Sequence, residues 1–130
     1  MASGTVLVTG ASTGIGYELA LQCARNGFDL VVAADEDRIH PSARDFQAAG
    51  AWTAEAVVAD LSTTDGNDRV LAAAGRLGRP IAALIANAGV GLGHAFLDQD
   101  WAKVRRTIDT NVTGTTYLLR QVGRATPAAS

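Results

Sequence analysis

The 130 residues include a single cysteine, Cys23, and a single lysine, Lys103. One thiol rules out an internal disulfide framework and suits a reducing compartment, so a cytoplasmic protein is expected. The two histidines, His40 and His94, are far apart, and no Cys/His cluster has metal-ligand spacing. No apolar run approaches the ~20 residues of a membrane-spanning helix. Neither sign of charge prevails: 11 basic side chains stand against 13 acidic ones, a formal net charge of −2. That balance supplies no basic stripe to displace counterions from nucleic acid. Met1-Ala2-Ser3-Gly4 lacks the basic region and long apolar stretch of a secretory leader. With 48% hydrophobic and 18% charged residues, the chain is too apolar for disorder. Its length gives one domain at most, with a sizeable core.

Apolar runs alternate with helix-like stretches and no internal repeat is visible, a pattern of βαβ units around a parallel sheet. Thr5-Val6-Leu7-Val8 is a short, β-branched strand that stops at Thr9-Gly10. Ile15, Leu19 and Cys23 then fall at i, i+4 and i+8 along one face of a helix. Asn26-Gly27 ends that helix, with Gly27 suited to a left-handed cap. Leu30 to Ala34 is a second strand, and Pro41 to Ala49 a helix closed by Gly50. Ala54 to Ala59 is a weaker third strand. Ser62 with Asp65 resembles a capping box for a helix reaching about Leu77. Ile81 to Ala86 is continuously apolar, as in a strand buried on both faces. A glycine-rich loop spans Asn87 to Gly93, and a long helical pattern begins near Asp98 or Asp100 and passes Leu119. The expected domain covers residues 1–124, with a disordered tail over 125–130.

Thr9-Gly10-Ala11-Ser12-Thr13-Gly14-Ile15-Gly16 lies between the first strand and the first helix, where an open α/β sheet binds a nucleotide phosphate. A helix N-terminus offers unpaired N–H groups and a partial positive charge. Side chains would keep a diphosphate away from them, and glycine removes that obstacle. The spacing is G-x-x-x-G-x-G, and no lysine follows, so a P-loop NTPase fits poorly. Asp35 follows the second strand, about where a carboxylate would bond the adenosine ribose. Glu36 and Asp37 come next, and no cation stands between the second strand and Arg38. Such acids repel a 2′-phosphate and favour NAD over NADP.

Thr9 to Gly16, Asp60-Leu61, Asn87-Ala88-Gly89 and Asn111-Val112-Thr113-Gly114 stand in order and spacing. Together they resemble the short-chain dehydrogenase/reductase family, from about Gly4 to Arg124. The resemblance implies a doubly wound Rossmann-type sheet of order 3-2-1-4 and an NAD(P) cofactor, with NAD favoured. It implies that Gly10, Ser12, Thr13, Gly14, Ile15 and Gly16 line the pyrophosphate. Asp60 and Leu61 would meet the adenine, while Asn87, Ala88 and Gly89 border the cofactor ribose. Asn111 would be the catalytic-site asparagine, which in this family helps a proton relay through a lysine and a water. By this register the family's strand-end aspartate falls on Ala34, one residue before Asp35. Ala86-Asn87-Ala88-Gly89 has alanine where a second asparagine is common.

The family's chemistry also needs a serine and a Tyr-x-x-x-Lys pair, because a phenol near pKa ~10 needs a nearby cation to shuttle protons at neutral pH. Tyr117 is followed four residues on by Gln121, and Lys103 precedes Asn111. The chain therefore reads as the cofactor-binding front half alone, with a small alcohol or carbonyl as substrate only once completed. Its fourth strand would be an exposed edge, and its long helix, with Val104, Ile108, Val112, Leu118 and Leu119, would lack partners, so self-association is expected. Arg105-Arg106 reads as a solvated helix face. Two alternatives stand beside this reading: a non-catalytic dinucleotide-binding module, and an S-adenosylmethionine-dependent methyltransferase-like domain.

Overall fold

The computed structural model describes residues 4–125. Four strands alternate with helices, and two helices follow the last strand: β1 (Thr5–Thr9), α1 (Gly14–Arg25), β2 (Asp29–Ala34), α2 (Ile39–Ala49), β3 (Ala54–Val58), α3 (Thr64–Arg76), β4 (Ile81–Ala86), α4 (Trp101–Ile108) and α5 (Thr115–Ala125). A short 3₁₀ turn, Phe96–Asp98, precedes α4, and a π-helical turn, Asp109–Gly114, joins α4 to α5. The sheet is parallel throughout and ordered β3-β2-β1-β4. This is the doubly wound Rossmann-type topology expected from the sequence. Ala125 closes α5, and the remainder of the expected tail lies outside the described residues.

Strand alternation divides the core in two. Val6, Val8, Leu30, Val32 and Ala34 pack with Ile39 and Phe46 on the side of α1 and α2. Leu7, Val31, Ala33 and Val57 pack with Val70, Ala73, Leu118 and Val122 on the side of α3 and α5. All of β1 and β2 is buried, as the middle strands of a covered parallel sheet must be.

Several sequence expectations are corrected here. The buried line of α1 is Gly16, Ala20 and Ala24, one residue past the apolar line Ile15, Leu19 and Cys23. Ile15 is 73% exposed, Leu19 is exposed, and Cys23 is only half-buried. Small side chains let the helix axis lie close to the sheet, and closeness outweighs residue hydrophobicity in choosing the face. The cap of α3 is Thr63, whose Oγ1 accepts from the Gly66 N–H at 3.0 Å; Ser62 turns back to Asp60 instead. Strand β4 is not buried on both faces: Ala82, Ala83 and Ala86 are exposed along it, as the sheet edge it forms requires. The single long helix is in fact α4, the π-turn and α5 in series.

The two cap readings are separable by mutation. Thr63→Ala should lower unfolding stability by about 1 kcal/mol, since its hydroxyl both caps Gly66 and donates to the Asp60 carbonyl. Ser62→Ala should cost clearly less in the same urea titration, and the reverse order would restore Ser62 as the cap.

Candidate cofactor site

The site is built where β1, β2, β3 and β4 end. Gly10 and Gly14 both take positive φ, +68° and +64°, which turns the chain sharply from β1 into α1. A Cβ on Gly16 would stand 2.2 Å from the Gly10 carbonyl oxygen, so only glycine lets the first turn of α1 rest on the turn's backbone. Around Gly14, by contrast, a Cβ would meet nothing within 4 Å. Thr13 occupies the cap position of α1 but makes no side-chain cap bond, and no acidic residue stands in the first turn. The leading N–H groups of this helix thus have no side-chain acceptor beside an open space.

The second wall is tied to this turn. Thr9 Oγ1 accepts from the N–H groups of Asn87 and Ala88, each at 3.1 Å, and Asn87 Nδ2 donates to the Gly10 carbonyl at 3.2 Å. Beyond it, Asn111 sits in the π-turn. Its Oδ1 accepts from the Val90 N–H and its Nδ2 donates to the Val90 carbonyl, both at 2.8 Å. Both ends of this amide are committed to holding the loop after β4. Gly89 lies against it, so close that an added Cβ would be 3.3 Å from Asn111 Oδ1.

The third wall carries charge. Ser12 Oγ donates to Glu36 Oε1 at 2.6 Å, so this hydroxyl joins the first turn to the β2–α2 segment. Asp60 Oδ1 accepts from the Ser62 hydroxyl at 2.6 Å and the Ser62 N–H at 3.0 Å. The Ser62 hydroxyl bond is the main reason the Asp60 carboxyl titrates below the usual aspartate value, with the Ser62 N–H and the charge of Arg106 adding to it against partial burial. Leu61 is buried behind it, held through its carbonyl by Asn67 Nδ2 at 3.0 Å. Asp35 is exposed and pairs with Arg106 at 3.3 Å.

All the residues singled out from the sequence therefore fall at one end of the sheet: Gly10 to Gly16 on the first wall, Asn87 to Gly89 and Asn111 on the second, Asp35, Asp60 and Leu61 on the third. Sequence reading missed Ser42, whose buried hydroxyl donates to the Ser12 carbonyl at 3.2 Å. It missed Ser62 and Asn67 as supports, and it assigned Arg106 to solvent. Tyr117 lies apart from the site. Its hydroxyl donates to Asp68, an interaction that raises its pKa above the ordinary phenol value and makes it a poorer acid.

Comparison with known proteins places the chain in a family. The short chain dehydrogenase family profile matches residues 4–128. L-rhamnose 1-dehydrogenase (NAD(P)(+)) of Azotobacter vinelandii is 36% identical over 124 residues, covering 92% of this chain and 48% of that protein. A short-chain type dehydrogenase/reductase from Mycobacterium marinum superposes with a TM-score of 0.83 at 34% identity, over 94% of this chain and 49% of the other. A metagenomic short-chain oxidoreductase in complex with NADP gives 0.80 at 32% identity, over 94% and 56%. The chain belongs to the short chain dehydrogenase family, and the methyltransferase alternative falls with that membership. It spans about half the length of the relatives it matches.

Asp60 offers a direct check on the third wall. A lowered folded-state pKa means that its bonds stabilise the fold above the unfolded value, about 3.9, and that this contribution is lost as pH falls through the folded value. Ser62→Ala should move the Asp60 carboxyl titration upward, read by carbon-detected NMR. An unchanged titration would mean that Ser62 is not the main cause.

Proposed function

We propose that these residues form the cofactor-binding half of an NAD(P)-dependent oxidoreductase that transfers a hydride between nicotinamide and an alcohol or carbonyl carbon. The turn after β1 carries this reading: N–H groups without a side-chain cap, no carboxylate in the first helical turn, and open space over Gly14. A diphosphate suits that cradle because backbone donors and the positive helix end both favour an anion. Gly10, Ser12, Thr13, Gly14, Ile15 and Gly16 would hold it. Asp35 would accept from the adenosine ribose, Asp60 and Leu61 would meet the adenine, and Asn87, Ala88 and Gly89 would border the second ribose. Nicotinamide, when bound, supplies the hydride acceptor or donor.

The run Asp35-Glu36-Asp37 favours NAD over NADP by repelling a 2′-phosphate. The names of the relatives, one marked NAD(P)(+) and one bound to NADP, support the dinucleotide class. Asn111 is assigned a positioning role, because its amide holds the Val90 backbone that borders the reaction end. No tyrosine in the chain is followed four residues later by lysine. Acid/base catalysis and substrate orientation, each commonly worth orders of magnitude, are therefore assigned to no Tyr-x-x-x-Lys pair within these 130 residues.

Calorimetry tests the reading. NADH should bind saturably to the chain, and Gly14→Val, which strains a positive-φ position as well as filling the open space above it, should abolish that binding. Absence of saturable binding to folded wild-type material would refute the cofactor site. Mixed with NAD and secondary alcohols, the chain alone should produce no NADH; robust turnover would overturn the division of labour.

The same 130 residues should also self-associate. β4 is a sheet edge, and Trp101, Ile108, Val112 and Leu119 are exposed along α4, the π-turn and α5. Light scattering should report a mass above that of one chain, and a stable monomer would contradict this.

A further inference from the structure

The acidic rim beyond β2 and β3 contains a cation that local sequence does not place there. Arg106 on α4, 71 positions from Asp35 in the chain, reaches Asp35 Oδ2 at 3.3 Å. The same Nη2 stands 3.5 Å from Asp60 Oδ1. Glu36 Oε1 accepts from Ser12, and Asp60 Oδ1 already accepts two bonds from Ser62. Both contacts are longer than well-formed charge-assisted bonds, and the three side chains are about half exposed, at 43%, 53% and 51%. Long, exposed ion pairs are weak. Arg106 also borders a groove of about 210 Å³ with Val90, Leu92, Lys103 and Thr107.

We propose that Arg106 decides how this site reads the ribose 2′ position, leaving Asp35 and Asp60 for the oxygens of a 2′-phosphate when one is present and screening Asp35 when it is not. The inference rests on the proposed dinucleotide site, since it needs an adenosine ribose beside Asp35. A 2′-phosphate set next to Asp35, Glu36 and Asp37 meets like charge, and a dianion rewards a planar, multi-donor cation more than a single carboxylate does. Arg106 already stands at Asp35, whereas Arg38 follows the three acids at the start of α2. Lys103, one turn earlier on α4, adds positive charge along the same groove. The consequence is a chain that accepts both dinucleotides despite its acidic rim.

The test is calorimetric titration of NADH and NADPH into the wild-type chain, Arg106→Gln, Arg106→Lys and Arg38→Gln, each verified as folded by circular dichroism. Wild type should bind both ligands. Arg106→Gln should lose at least about tenfold in NADPH affinity and stay within about threefold for NADH, with Arg106→Lys between and Arg38→Gln affected less than Arg106→Gln. Equal losses for both ligands, an unchanged or improved NADPH affinity, or a wild type that binds NADH alone would overturn the role of Arg106 and leave the dinucleotide site standing. A folded wild type that binds neither would overturn both.

Discussion

Helix backbone resting directly on strand-end carbonyls is the constraint on which this site depends. It occurs three times around the cleft, and each time a missing side chain permits it. A Cβ on Gly16 would be 2.2 Å from the Gly10 oxygen, one on Gly66 would be 1.9 Å from the Asp60 oxygen, and one on Gly114 would be 2.2 Å from the Leu61 oxygen. Helices α1 and α3, and the π-turn that leads into α5, are thereby seated against the chain leaving β1 and β3 with no side chain between. Their placement decides where the open ends of the first turns face. The polar ties that follow, from Thr9 and Asn87 on one wall and Asn67 on another, satisfy carbonyls and amides that such close seating would otherwise strand.

The electrostatics of the cleft follow from that seating. One end presents helix donors with no acidic residue in their first turn; the other presents four carboxylates over two strand ends, at Asp35, Glu36, Asp37 and Asp60. Their repulsion is moderated by specific partners: Ser12 bonds Glu36, Ser62 bonds Asp60, and Arg106 lies between Asp35 and Asp60. The Ser12 bond also joins the donor end to the acidic end through one side chain. A change at either end therefore reaches the other by a path of direct contact.

Local patterns made much of this legible. Four apolar runs and three punctuated helices gave the sheet class, and Gly10, Gly14 and Gly16 marked the strand-to-helix turn, because positive φ and close approach leave few other residues possible. The face of α1 was misread because hydrophobic periodicity ranks side chains by transfer energy, while Gly16, Ala20 and Ala24 were selected by interaxial distance. Gly66 is a close-approach glycine with no motif around it, so nothing in the sequence separates it from a loop glycine. Arg106 was beyond reach for a different reason. Its partners lie 71 and 46 residues away, and a pair of adjacent arginines on an amphipathic helix looks the same whether it meets solvent or a carboxylate.

The π-turn shows why the buried line of the last helical segment escaped periodicity. The buried positions Thr110, Gly114, Leu118 and Val122 are spaced by four throughout. In an unbroken α-helix, twelve residues at 3.6 per turn overshoot whole turns by about 120°, so such a line would wind off the core. A wider turn over Asp109–Gly114 absorbs part of that drift, keeping Leu118 and Val122 on the core that contains Val70 and Ala73. The apolar line through Ile108 and Val112 follows the other register and is left exposed. The same widening accompanies an outward-reaching Asn111, whose amide crosses to Val90 rather than bonding along its own helix. Core packing and loop placement are therefore solved by one irregularity, and straightening it would sacrifice either the seat of α5 or the wall that Asn111 holds.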